Sequence, residues 1–231
     1  MKLLDYNSFI NQDRQKTQSV NEHLWSGIIH RSETGEEREE DKIHAKEDIR
    51  RKIQEIIDKT HPKKGDTIDL NHLDVSRVED MSKLFYDNKK HINFTKYNFD
   101  VSDWDVSKVT DMSLMFFGCK NFNCDLSRWK VPKVKAMHGM FFRCVSFNSD
   151  LSGWDVSNVE YMNGMFENCK KFNSDLSNWD VSNVTEMSYM FEGCENFNCD
   201  LSGWDVSNMT DMQNMFNGCS SLEKIPDWYH D

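Results

Sequence analysis

"WDVSNVTEMSYMFEGCENFNCDLSGW", residues 179–204, opens and closes on tryptophans 25 residues apart, and the chain around it repeats that frame. Trp104, Trp129, Trp154, Trp179 and Trp204 keep one register. Cys119, Cys144, Cys169, Cys194 and Cys219 keep a second, and Met-Phe pairs starting at Met115, Met140, Met165, Met190 and Met215 keep a third. Registers that share one period mark a repeat architecture before any local structure is assigned. A looser copy, "LNHLDVSRVEDMSKLF" from Leu70, has Leu73 at the Trp position, and "DNKKHINFTK" lengthens the loop after it by six residues. Six units result, spanning residues 66–222.

Each unit reads as one short strand and one short helix. In "FNSDLSNW", residues 172–179, Phe172, Ser174 and Leu176 alternate with polar residues, which predicts a strand with one face inward. In "SNVTEMSYMFEGC" the positions of Val184, Met187, Met190, Phe191 and Cys194 follow helical spacing. Gly193 stands where a left-handed residue would end that helix; Gly118, Gly218 and Asn168 match it and Arg143 is the exception. A unit this small cannot bury its own apolar face. The expectation is therefore an α/β repeat solenoid, leucine-rich-repeat-like, with strands stacked ~4.8 Å apart over a shared core.

The pattern F-x-G-C-x-x-F-N-x-D-L-S-x-W-D-V-S-N-V-T-x-M-x-x-M-F resembles the BspA-like bacterial surface repeat, a lipoprotein-associated relative of leucine-rich repeats. The resemblance covers about two thirds of the chain. It implies an interaction solenoid, since the family is associated with adhesion and protein binding and has no characteristic active site.

Residues 1–65 do not repeat. Ile43, Ile49, Ile53, Ile56 and Ile57 fall on helical spacing before Pro62, and "NEHLWSGIIHR" suits a shorter helix, so this region reads as an α-helical N-terminal cap or as a separate binding element. Residues 223–231 read as a C-terminal cap, with Leu222, Ile225 and Trp228 sealing the last unit. At 231 residues and 38% hydrophobic content the chain is long enough for a sizeable core. The start, "MKLLDYNSFINQDRQ", meets polar residues before an apolar run of signal-peptide length forms, and no later run approaches a membrane span. The expectation is a cytoplasmic protein with reduced thiols, without membrane association, and the odd count of seven cysteines agrees with free thiols.

Candidate chemistry is sparse. Cysteines at one per unit form a line rather than a tetrahedron, and "CKNFNC" and "CENFNC" have no matching His pair, so the column reads as buried thiols and no metal is expected. Asp125, Asp150, Asp175 and Asp200 resemble a calcium ladder, but the glycine-rich turns of calcium-binding repeats are missing and turn hydrogen bonding accounts for them. His138 has no repeated partner, nothing near it in sequence completes a Ser/His/Asp or Cys/His constellation, and no phosphate-binding glycine loop occurs. No enzyme and no cofactor are expected.

Residues 1–65 hold 13 Lys and Arg against 13 Asp and Glu, so the whole net charge of −11 falls on the repeats. Rows of carboxylates repel nucleic acid, so no direct DNA or RNA binding is expected and a protein is the expected partner. One unit breaks the pattern. "WKVPKVKAMHGMFFRC", residues 129–144, keeps the frame but carries Lys130, Pro132, Lys133, Lys135, His138, Phe142 and Arg143, with Arg128 just before it. Phe117 and Phe142 stand where other copies have Glu167, Glu192 and Asn217, and two outward aromatics beside arginines have the composition of an interface hot spot. The same patch is also compatible with packing on the N-terminal cap. The function read from these residues is a non-enzymatic protein–protein interaction module binding through Phe117, Arg128, Lys130, Lys133, Lys135, His138, Phe142 and Arg143. The alternative is an acidic inhibitor, of the anti-defence type found in phages and mobile elements, that occupies a nucleic-acid groove on its target.

Overall fold

The segment expected to be helical in each unit carries the backbone ladder instead. In the computed structural model, which describes residues 39–86 and 94–230, parallel bridges run Asp80 to Asp111, Ala136, Tyr161, Glu186 and Asp211, one per unit. Around them every second amide reaches the next unit: the N–H groups of Met112, Leu114, Phe116 and Gly118 donate to the carbonyls of Ala136, His138, Met140 and Phe142 at 2.8–2.9 Å. The intervening amides close tight turns, as Met115 N–H to Met112 O and Cys119 N–H to Phe116 O. Left-handed residues make this possible. Leu114, Gly139, Gly164, Tyr189 and Asn214 fill one positive-φ position, and Gly118, Arg143, Asn168, Gly193 and Gly218 fill the other. The conformation expected at the second set is therefore present, although it punctuates turns rather than ending helices.

The expected strand at 172–179 is likewise absent as a regular element. Its alternation is real, with Phe172 and Leu176 fully buried and Ser174 at 7% exposure. The units are joined there by side chains. Leu126 and Leu151 N–H donate to Ser149 and Ser174 Oγ at 2.9 and 3.0 Å, and Leu176 N–H lies 3.2 Å from Cys199 Sγ.

Aromatic columns fill the interior. Phe116, Phe141, Phe166, Phe191 and Phe216 stack at 5.6–5.8 Å between centroids, and Phe122, Phe147, Phe172 and Phe197 form a parallel column at 5.9–6.1 Å. Among the described residues each tryptophan indole N–H donates to a carbonyl of the preceding unit, as Trp154 to Leu126 at 3.0 Å, so a large apolar ring is buried without orphaning its one donor. The thiols of Cys144, Cys169, Cys194 and Cys219 donate to carbonyls one unit back at 2.9–3.1 Å. Burial pushes the Cys119 thiol up to about 12, and all seven cysteines are free.

At the N-terminal end α1 (Glu39–Thr60) packs Ile49, Ile53 and Ile57 into the core. It is rich in Glu, Lys and Arg, free of glycine and proline, and reinforced by pairs such as Asp48–Lys52 at 2.7 Å. It stops at left-handed His61 before Pro62. Two short strands, β1 (Thr67–Asp69) and β2 (Asn98–Asp100), pair in parallel, with a 3₁₀ turn at Phe94–Lys96. Residues 38–231 form one compact unit, so α1 belongs with the repeats. The expected helix in "NEHLWSGIIHR" and the side chain of Ile43 lie outside the described residues. At the other end Trp228 extends the tryptophan column, stacking 6.2 Å from Trp204, whereas Ile225 is 56% exposed and seals nothing. Among the described residues no helix is long and apolar enough to cross a membrane.

Candidate functional site

The regular units show what the fold requires at each surface position, and so what the third unit has given up. The other five units have an Asp-x-Ser turn here: Asp74, Asp105, Asp155, Asp180 and Asp205 accept from the amides of Ser76, Ser107, Ser157, Ser182 and Ser207 at 3.0–3.2 Å. These hydrogen bonds hold the Asp105, Asp180 and Asp205 carboxyls below their ordinary range. The third unit has Lys130 and Pro132 there. Proline has no N–H, so removing the carboxylate leaves no donor unpaired. Pro132 O still accepts from Asn158 Nδ2 at 2.9 Å, as Ser157 O does from Asn183 at 2.7 Å. The exchange of Asp-x-Ser for Lys-x-Pro preserves the turn while reversing its charge.

The eight residues picked from sequence do not form one contact set. Arg128, Lys130, Lys133, Lys135 and Arg143 are exposed. Arg128 pairs with Asp103 at 2.6 Å and Lys135 with Glu160 at 3.3 Å. His138 is half-buried, and its carbonyl serves the ladder. The aromatic pair departs from expectation. Phe142 is 8% exposed and Phe117 half-buried, so neither projects as an outward anchor. The two rings stack face to face at 4.6 Å with an interplanar angle of 1°, Tyr86 meets Phe117 edge-on at 5.4 Å, and the Arg143 guanidinium lies 5.0 Å from the Phe142 centroid. Stacking along the unit axis and the covering cation bury a ring that its position alone would leave in water.

Beyond Phe142 the same column turns acidic. Burial, reinforced by Glu192 one unit on, pushes the Glu167 carboxyl up to about 8, with Arg143 opposing. Asn168 and Asn217 donate to Glu167 and Glu192 at 3.3 and 2.9 Å.

A feature absent from the sequence reading is a polar groove of about 500 Å³ lined by Lys135, Asn158, Glu160, Asn183, Thr185 and Asn208. Its signal in the sequence is the asparagine at one offset in three successive units, with Lys133 and Lys108 continuing that column toward the N-terminus. Each asparagine amide is anchored to a carbonyl one unit back, and Thr185 Oγ1 donates to Glu160 O at 3.2 Å. The groove wall is thus rigid, and its basic end belongs to the third unit.

Residues 52–163 and residues 149–230 each match the family model described as "Mycoplasma protein of unknown function, DUF285". No curated protein and no solved structure matches the chain. With the two matched stretches together covering the repeats and the end of α1, the chain belongs to that family, the Mycoplasma proteins of unknown function DUF285.

Proposed function

We propose that this chain is a non-enzymatic protein–protein interaction module, a repeat solenoid of the BspA-like kind, whose partner contacts the cations of the third unit. The observation that carries the reading is the Lys130–Pro132 exchange. A turn that the other units build around a carboxylate is rebuilt here without one, leaving no donor unpaired, and four further exposed cations accompany it: Arg128, Lys133, Lys135 and Arg143. The partner surface is acidic, complementary to this patch and repelled by the carboxylate rows around it. Phe117 and Phe142 back the patch from below and are not its contact atoms. The test is site-specific photocrosslinking in extracts of the source cells, with a benzophenone side chain at position 133 or, as control, at position 183 of the fifth unit. A discrete adduct at 133 that is missing at 183 supports the reading; equal labelling at both, or at neither, rejects it.

A second reading, an acidic inhibitor seated in a nucleic-acid groove, draws on the two rows of Asp-x-Ser carboxylates kept ionised by their turns. It requires binding that weakens steeply with salt and yields to the target's nucleic acid.

A further inference from the structure

The ladder that joins the units has a direction, and its two ends are chemically opposite. Along the turn segment of each joint the N–H groups point toward the C-terminal end and the carbonyls toward the N-terminal end: Met187, Tyr189, Phe191 and Gly193 donate forward to Asp211, Gln213, Met215 and Asn217 at 2.7–3.0 Å. Only outside this segment do amides such as Thr185 and Thr210 donate backward, to Glu160 O and Thr185 O. The first unit therefore presents a row of acceptors and the last a row of donors.

The acceptor row is already capped. Lys46 Nζ reaches Ser82 O at 3.3 Å, and Arg50 reaches Lys83 O and Leu84 O at 2.6 and 2.8 Å and Tyr86 O at 3.4 Å. In later units the carbonyls equivalent to those of Ser82, Leu84 and Tyr86 accept amides from the unit before. Two cations one helical turn apart on α1 thus replace a missing unit, while Ile49, Ile53 and Ile57 cover the apolar interior beside them.

At the other end, among the described residues, no acceptor meets the main-chain N–H groups of Met212, Phe216 and Gly218. Val206, Met209, Met212 and Leu222 are half-buried or more exposed than the fully buried residues they continue, Val181, Val184, Met187 and Phe197. Trp228 closes the tryptophan corner through its bond to Leu201 O at 2.9 Å but not the ladder corner. A row of aligned amides is a site for acceptors and negative charge. A second copy of the chain does not fit. Against the donor segment its own C-terminal end offers only the Thr210 carbonyl at one edge, the counterpart of Thr185 O, and its acceptor row lies under α1.

We infer that the C-terminal end of the stack docks an amphipathic helix from a partner protein, with two carboxylates one turn apart beside an aliphatic stripe, the charge-inverted counterpart of α1. Because the units share one backbone, the span that Lys46 and Arg50 cover on the acceptor row measures the span two carboxylates must cover on the donor row. This site is at the opposite end of the stack from α1 and stands apart from the cationic third unit, so either proposal survives the loss of the other.

The probe is a synthetic peptide of residues 39–60 carrying Lys46→Glu and Arg50→Glu, with a second peptide of reversed sequence to allow either helix polarity. Titrated into the ¹⁵N-labelled full chain, one of the two should shift the amide resonances of Met212, Phe216 and Gly218 downfield and slow their hydrogen exchange at least tenfold. The amide of Gly193, already bonded to Asn217 O, serves as the internal control. The unmodified 39–60 peptide should bind this end at least tenfold more weakly, and Met209→Asp in the full chain should weaken the Glu-bearing peptide by a similar factor. No shift with either Glu-bearing peptide, shifts that spare the three amides, or equal binding of the unmodified peptide overturns the inference.

Discussion

Pro132→Ser restores the residue found in the regular units but not its partner, because Lys130 stands where the accepting carboxylate would be. Two terms act against the folded state. Losing proline frees the unfolded chain, worth about 0.4–1 kcal/mol. The new amide also lacks its acceptor, but at an exposed turn water meets much of that demand, so the second term sits near the bottom of the ~1–3 kcal/mol range for a lost partner. The sum is about 1–2 kcal/mol, a drop of roughly 2–8 °C in melting temperature at the ~2–4 °C per kcal/mol expected for a domain of this size. Adding Lys130→Asp should recover about 1 kcal/mol by recreating the Asp-x-Ser bond, whereas Lys130→Asp alone, facing proline, should change stability little. The four proteins of this double-mutant cycle are compared by urea unfolding. A coupling of about 1 kcal/mol is expected, and additivity within ~0.3 kcal/mol would show that Pro132 does not compensate for the missing carboxylate.

The other predictions concern the column beside this turn. Phe142→Glu should cost about 2–3 kcal/mol, since it takes a nearly buried ring out of its stack on Phe117; an unchanged melting temperature would mean the ring is exposed. Arg143→Gly relieves a left-handed arginine at φ 59, a gain of about 1 kcal/mol partly offset by the lost cation–π contact, so the variant should melt no lower than the parent. Glu167 has a folded pKa raised to about 8 from 4.5, so its favourable contribution is complete below pH ~4.5 and is lost as pH rises through 8. Relative to Glu167→Gln, the parent protein should lose melting temperature between pH 5 and about 9; parallel curves would contradict the buried carboxyl.

The columns of the interior are legible in the sequence because a repeat reveals which residues the fold demands. Trp, Met-Phe and Cys recur, and all sit inside except toward the last unit, where Cys219 is half-exposed. The left-handed positions are legible too, since Gly118, Gly193 and Gly218 mark them and Asn168 is the common substitute. The helix at 184–194 is misread for a physical reason. Consecutive three-residue turns place Val184, Met187 and Met190 inward at the spacing of a helix, and only the amide directions, forward to the next unit, tell the two apart. The strand at 172–179 is misread because alternation reports side-chain burial, not whether backbones pair. Phe142 is misplaced since its neighbours in the same column are charged, and a stack with Phe117 is visible only in three dimensions. The groove is missed because its asparagines look like turn residues, as they also are.

On the proposed reading the third unit's cations bind a partner without holding up the fold. Its most direct test converts Arg128, Lys130, Pro132, Lys133 and Lys135 to the Asn, Asp, Ser, Asn and Thr found at 178, 180, 182, 183 and 185, and measures partner affinity and melting temperature on the same sample. The expected outcome is an affinity loss of about thirtyfold or more, equivalent to ~2 kcal/mol, with the melting temperature held within about 2 °C. Unchanged affinity, whatever the melting temperature, would contradict it.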